Sequence, residues 1–319
     1  MILYELMQQG TGRLEEAGID NAAYDSKTLI KYVFGLDETA LILGRDKEAE
    51  AEKAEEYLKL IEKRASHYPL QYIMHSVGFM EYDFYVDEAV LIPRSDTEVL
   101  VEEVLKYLDE NSADKPVSLL DMCTGSGCIG ISCFLSRKAK GVADSVTLAD
   151  ISEEALRVAG KNAEQLEAGV KLVKTDVYEA FSGKDNGSDD VPAAQAATDI
   201  NNRFDVIVSN PPYIRSDVIP TLMEEVKDFE PMLALDGDKD GMKFYRRIIG
   251  EAPKYLNPGG AIFLEIGYDQ YEDTRKLLVE AGFTDIKLVK DLAGLDRVVS
   301  GKLAKEEVRK IEIDLLRFG

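Results

Sequence analysis

Asn210, Pro211, Pro212 and Tyr213 end the apolar run FDVIVSNPPYI (204–214), and their residue types suit them to holding a planar nitrogen group. An asparagine side-chain oxygen accepts one N–H of an amide or amine, and the carbonyl of Pro211 can accept the other. Tyr213 can pack on the flat face of the bound group. An amide nitrogen is a weak nucleophile because its lone pair is delocalised into the carbonyl. Two acceptors would therefore work by orientation, aligning the nitrogen with an electrophilic methyl group. Their dipoles would also stabilise the charge that develops on nitrogen. The prolines stop a central strand rigidly, because proline cannot donate to a ladder. A tight Pro-Pro turn with an asparagine cap and a packed tyrosine is the plain alternative.

A second group of residues could hold a nucleotide-like ligand. In DMCTGSGCIG (121–130), Gly125, Gly127 and Gly130 have the G-x-G-x-x-G spacing. Such glycines let a backbone turn sharply and approach a ligand closely. The pattern alone serves NAD or S-adenosylmethionine, or only a structural turn. Asp150 ends the next apolar run, 23 residues after Gly127. A carboxylate there can accept two hydrogen bonds from ribose hydroxyls. It can also cap the helix that follows, although Ser152 is available for that. Asp176 ends a third apolar run and would lie near an adenine ring, or begin an ordinary turn.

These residues need a scaffold that brings separate chain segments to one edge. The runs VSLLD (117–121), SVTLAD (145–150), VKLVKTD (170–176), FDVIVSN (204–210) and AIFLEIG (261–267) alternate with helical patterns. Near-continuous apolar strands separated by helices predict a mostly parallel sheet covered on both faces. Ligands of such sheets bind beyond the carboxyl ends of the strands, where Asn210, Asp150 and the glycine loop would meet. TDIKLVKD and RVVSGK can close the sheet as a final pair. Residues 1–72 read as a helical domain and residues 73–93 as an aromatic, β-branched hairpin linker. Residues 94–319 read as the catalytic domain, opening on a helix with Ser95 or Asp96 as cap and Glu98 completing a capping box. Residues 182–203, rich in Ser, Gly, Asp and Asn, read as a flexible surface insertion, and the tail beyond Gly301 as a further amphipathic helix of no assigned function.

The chain of 319 residues carries 38 Lys and Arg against 60 Asp and Glu, a net charge of −22. Such a charge opposes binding to a phosphate backbone and suits a basic protein partner, or simply keeps the protein in solution. The N-terminus, MILYELMQQG, has no basic region ahead of an apolar one, and no run approaches a membrane span; the expectation is a cytoplasmic protein. Cys123, Cys128 and Cys133 lack zinc-site spacing, and with only His67 and His75 present a histidine-based triad or metal site is not expected.

The motifs together resemble the HemK/PrmC family, the release factor glutamine methyltransferases. The resemblance rests on N-P-P-Y, QYI (71–73), FYV (84–86), LIPRSDTEVLVE (91–102), EPMLALDGDKDG (230–241) and KDLAGLDRVVSGK (290–302), and covers about residues 1–302. It implies a class I, Rossmann-like methyltransferase domain with a seven-stranded sheet behind a helical domain that engages the release factor. It implies methyl transfer from S-adenosyl-L-methionine, with S-adenosyl-L-homocysteine as product, to N5 of the glutamine in the Gly-Gly-Gln loop of a class I release factor. By position, Cys123, Thr124, Gly125, Ser126 and Gly127 match the methionine side of the cofactor site, Asp150 the ribose acid, and Asp176 with Val177 the adenine side. Asn210, Pro211, Pro212 and Tyr213 match the glutamine site, and Arg94 and Glu98 match a segment whose role the sequence leaves open. Cys123 departs from the family, which has glycine there, and the 182–203 insertion is a second departure.

Rival readings remain at this stage. A ribosomal-protein glutamine methyltransferase shares the chemistry and differs in docking. A DNA adenine-N6 methyltransferase shares the N-P-P-Y turn but calls for a basic groove. An NAD oxidoreductase leaves Asn210 to Tyr213 without a purpose. A non-catalytic adaptor has only Cys123 in its favour.

Overall fold

The computed structural model describes residues 1–182 and 203–304; most of the predicted insertion and the tail beyond residue 304 lie outside them. The chain begins with helices α1 (Leu3–Glu16), α2 (Ala22–Phe34), α3 (Glu38–Gly44), α4 (Ala51–Ala65) and α5 (Leu70–Met74). Each buries one apolar stripe: Leu3, Leu6 and Leu14 of α1 meet Leu29 and Ile30 of α2 and Tyr57 and Ile61 of α4. Gly10 permits that packing, because a Cβ there would lie 2.0 Å from the Tyr57 hydroxyl. The segment Gln71–Met74 is helical, and the hairpin is confined to β1 (Val77–Phe79) and β2 (Tyr82–Phe84).

The rest of the chain alternates strand and helix. Its elements are α6 (Glu98–Ser112), β3 (Ser118–Met122), α7 (Cys128–Ala139), β4 (Ser145–Asp150), α8 (Glu153–Gln165), β5 (Lys171–Lys174) and β6 (Phe204–Ser209). They continue with α9 (Glu224–Lys227), α10 (Met232–Leu235), α11 (Lys243–Tyr255), β7 (Leu256–Glu265), α12 (Tyr271–Glu280), β8 (Phe283–Lys290) and β9 (Asp296–Leu303). The seven strands from β3 onward form one sheet of order β5-β4-β3-β6-β7-β9-β8. The first five are parallel, and β9 inserts antiparallel between β7 and β8.

Residues alternate between the two faces with the period of a strand. Leu119, Val206, Val208, Ala261 and Phe263 pack on the side of α6 and α7. Leu120, Met122, Ile207, Ile262 and Leu264 pack on the side of α11 and α12. Sequence order reverses between β3 and β6, so a crevice opens at their carboxyl ends.

One capping expectation fails. Ser95–Thr97 form a 3-10 turn leading into α6, and no side chain caps that helix. Glu98 instead accepts the Met80 backbone N–H at 2.6 Å, tying α6 to the hairpin. At α8 the expected cap is present: Ser152 Oγ accepts from the Ala155 N–H at 3.1 Å.

Candidate active site

The glycine loop is held from below by Asp121, a fully buried carboxylate at the end of β3. Its Oδ2 accepts from Thr124 Oγ1 at 2.6 Å and from the Gly130 N–H at 2.9 Å. Burial pushes its pKa up to about 7. Gly130 must be glycine, because a Cβ would lie 2.3 Å from Leu148 and 3.0 Å from the Asp121 carboxylate. Gly127 adopts φ +82° and packs its Cα face on Ile131, Leu148 and Ala159, so it supports the loop from behind and does not line the cleft. Gly125, at φ +53°, faces open space: nothing lies within 4 Å of where a Cβ would project.

Cys123 also adopts a left-handed backbone, at φ +60°. This is the conformation in which glycine is at ease, and a side chain there costs roughly 1–2 kcal/mol. The Cys123 side chain packs against the apolar cluster beneath α11, and burial raises its thiol pKa.

Asp150 ends β4 with both oxygens committed to backbone: Oδ2 accepts from the Gly125 N–H at 2.9 Å and Oδ1 from the Ser152 N–H at 3.0 Å. Each oxygen keeps a further lone pair. Burial raises its pKa, and the backbone donors pull it back. Asp176 is half-exposed and paired with Arg247 of α11 at 2.7 Å. Val177 is buried at φ +55°, in a turn held by the Thr175 hydroxyl.

Asn210 follows β6 directly. Its Nδ2 donates to Thr97 Oγ1 at 3.3 Å, which leaves Oδ1 as an uncommitted acceptor. Asn210 and Pro212 line the cleft, and Pro211 between them is buried. Tyr213 is outside the cleft wall: its hydroxyl donates to Glu265 Oε1 at 3.3 Å and its carbonyl accepts from Gln270 Nε2 at 3.0 Å.

One cleft is therefore lined by Cys123 through Ser126, Asp150, Asp176, Val177, Asn210 and Pro212. Residues that the chemical reading of the sequence did not single out complete it: Val90, Leu91 and Pro93 from the linker, Pro231, Leu233 and Ala234 around α10, and Phe244 of α11. Arg94 reaches Glu230, a carboxylate 6% exposed, so the IPR and EPM segments meet across the cleft mouth. No periodicity marks these wall residues; only the two short motifs do.

The sheet order, the glycine loop after β3 and the acid ending β4 define a Rossmann-like fold of the class I methyltransferases. A family profile described as the PrmC N-terminal domain matches residues 5–74, and one described as conserved hypothetical protein 95 matches residues 97–237. The release factor glutamine methyltransferase of Clostridium acetobutylicum is 41% identical over 90% of this chain and 93% of its own. That of Geobacter sulfurreducens is 37% identical over 92% of this chain and 93% of its own. A solved protein-(glutamine-N5) methyltransferase (release factor-specific) from Alicyclobacillus acidocaldarius is 30% identical, covers 69% of this chain and 99% of its own, and has a TM-score of 0.38. The chain belongs to the release factor glutamine methyltransferase family.

Proposed function

We propose that this protein transfers a methyl group from S-adenosyl-L-methionine to the N5 side-chain amide of the glutamine in the Gly-Gly-Gln motif of a class I translation release factor, in the cytoplasm. The observation that carries this reading is the amide of Asn210, anchored through its nitrogen with its oxygen free, in the same cleft as Asp150 and the glycine loop.

The cleft suits the cofactor. Gly125 leaves open the space that a side chain would fill, and Asp150, each of whose oxygens keeps a lone pair, would accept from the ribose hydroxyls. When bound, the cofactor supplies a methyl group made electrophilic by its sulfonium. The protein supplies orientation. Asn210 Oδ1 accepts one N–H of the substrate amide and the Pro211 carbonyl accepts the other, so the nitrogen lone pair lies in line with the methyl carbon. With the cofactor bound, the nitrogen that Asn210 holds would take the methyl group and the sulfur would leave as the neutral thioether of S-adenosyl-L-homocysteine. The methylated amide then sheds its extra proton to water, so no strong base is required. Tyr213 acts from outside the cleft wall, holding the turn through Glu265 and Gln270.

The test uses methyl-labelled S-adenosyl-L-methionine and a cognate class I release factor, with label located by peptide mass spectrometry. Duplex DNA, a ribosomal-protein substrate and a Gly-Gly-Ala factor serve as controls. Label confined to the Gly-Gly-Gln glutamine is the expected result; label on the ribosomal protein or on DNA instead overturns the substrate assignment. Asn210→Ala is expected to bind cofactor normally and to lose kcat by about 100-fold or more. Near-normal turnover in that variant rejects the mechanism.

A further inference from the structure

Pro231, Leu233 and Ala234 wall the cleft from in and beside α10, and α9 comes just before them in the chain. Each of these helices has four residues, too few to hold its shape in water without tertiary contacts. The far end of α10 is pinned within the methyltransferase domain. Leu235 is its one buried residue, and the Leu235 carbonyl accepts from the Ile214 N–H at 3.0 Å. Met232 and Leu233 are each 52% exposed and fix little by burial.

The near end is held from elsewhere. Among the described residues, the ion pairs, ring contacts and side-chain hydrogen bonds of residues 224–230 run to residues 64–68 or to Arg94. Arg64 Nη2 of α4 donates to Glu225 Oε1 at 2.5 Å. His67 Nε2 lies 2.9 Å from Glu224. The Phe229 ring meets Tyr68 edge-on, with centroids 5.3 Å apart. Arg94 bonds Glu230. Arg64 is itself immobilised: at 4% exposure, its Nε donates to Asp25 of α2 at 2.7 Å and its Nη1 to the Tyr68 carbonyl at 3.3 Å. A guanidinium is a planar, rigid fork, so two fixed arms aim the third. Where Glu225 sits is therefore set by the N-terminal helices.

We propose that the N-terminal helices complete the cofactor cleft, with Arg64 as a positioning residue that holds α9, and through it α10, against the ligand. This rests on the reading of the cleft as the cofactor site. Arg64 touches no wall residue. It acts through Glu225, and the Tyr68–Phe229 contact acts beside it on the same stretch of chain. Without these contacts the near end of α10 is free, and Pro231, Leu233 and Ala234 recede from the cofactor. A protein partner that shifts the N-terminal helices then changes the affinity for cofactor, and bound cofactor changes the affinity for that partner by the same factor.

The experiment measures calorimetric affinity for S-adenosyl-L-homocysteine and amide hydrogen exchange over residues 230–236 in the full chain. It compares wild type, the double variant Glu225→Ala, Phe229→Ala, the single variant Glu225→Gln, and Ile61→Val. Ile61 is buried on the α1 side of α4, beside Gly10, so its truncation loosens the N-terminal core without touching residues 224–230. The double variant is expected to bind S-adenosyl-L-homocysteine about tenfold more weakly, within the range of coupling between linked sites. Its Ala234 and Asp236 amides, which bond Pro231 and Met232, should exchange faster. Glu225→Gln keeps an oxygen for Arg64 and should bind as wild type. Ile61→Val should lower the denaturant midpoint and leave affinity and exchange unchanged. Wild-type affinity in the double variant, or an equal loss in Ile61→Val, overturns the positioning role while the cofactor site stands. A wild-type chain that binds no S-adenosyl-L-homocysteine rejects the reading of the cleft and the positioning role with it.

Discussion

At the scale of single residues, the site is built from acceptors whose other bonds are already fixed. Asp150 has both oxygens oriented by backbone N–H groups, so in the proposed ribose site little ordering would remain for it on binding. Asp150→Ala should therefore weaken binding of S-adenosyl-L-homocysteine by about tenfold to a hundredfold, since hydrogen bonds to a charged group contribute roughly 1.5–3 kcal/mol. Unchanged calorimetric affinity would remove Asp150 from the site. Glu265 also has a consequence for stability. Its folded-state pKa, about 7, lies above the ordinary 4.5, so the folded protein holds a proton that the unfolded chain has released between those values. Stability should fall as pH rises across that window, by at most about 3.5 kcal/mol at ~1.4 kcal/mol per unit. Asp121 adds a fall in the same direction. Denaturant midpoints at pH 5 and 8 should converge in Glu265→Gln relative to wild type, and an equally steep fall in the variant would contradict this origin.

At the scale of elements, buried ion pairs fix where helices end. Arg137, fully buried in the last turn of α7, bonds Asp144 at 2.9 Å and the carbonyls of Ser112, Ala113 and Lys115. It thereby joins the end of α6, the end of α7 and the entry to β4. Its Asp144 partner in turn accepts from the Val117 N–H, which sets the start of β3. Arg137→Ala leaves a buried carboxylate and three carbonyls without their donor and should cost about 3–5 kcal/mol. Urea unfolding measures this directly, and a loss below ~1 kcal/mol would show that water replaces the guanidinium at no great cost.

At the scale of the whole molecule, the N-terminal helices share interior with the linker and with α8. Val86, Val90 and Ile92 of the linker and Ala155 and Val158 of α8 lie in one apolar cluster with residues of α1, α2 and α4. Arg64, 4% exposed on α4, pairs with Asp25 of α2 at 2.7 Å and with Glu225 of α9 at 2.5 Å. Phe229 packs edge-on against Tyr68 one residue before Glu230, so this seam lies next to the cleft mouth. A shared core of this kind should unfold as one unit. Calorimetry should show a single transition for the full chain, and two resolved transitions would mean that the two parts fold independently.

The sequence by itself determined the strands of the sheet and the end of it where the candidate site residues gather. Apolar runs covered on both faces have a strong signal, and Asn210, Asp150 and the glycine loop each sit at a strand end, which topology alone brings together. The N-P-P-Y and SDTE segments were legible as words, but the bond joining Asn210 to Thr97 was not, because their 113-residue separation is closed only by the packing of α6 on the sheet at β7 and β9. Tertiary structure alone decided that Tyr213 turns away to Glu265, that Glu98 ties down the hairpin and leaves the helix uncapped, and that Cys123 takes a glycine's backbone. It also decided that α10 and Phe244 wall the cleft. Those outcomes follow from which partners a folded chain puts within hydrogen-bond reach, and no local propensity encodes that distance.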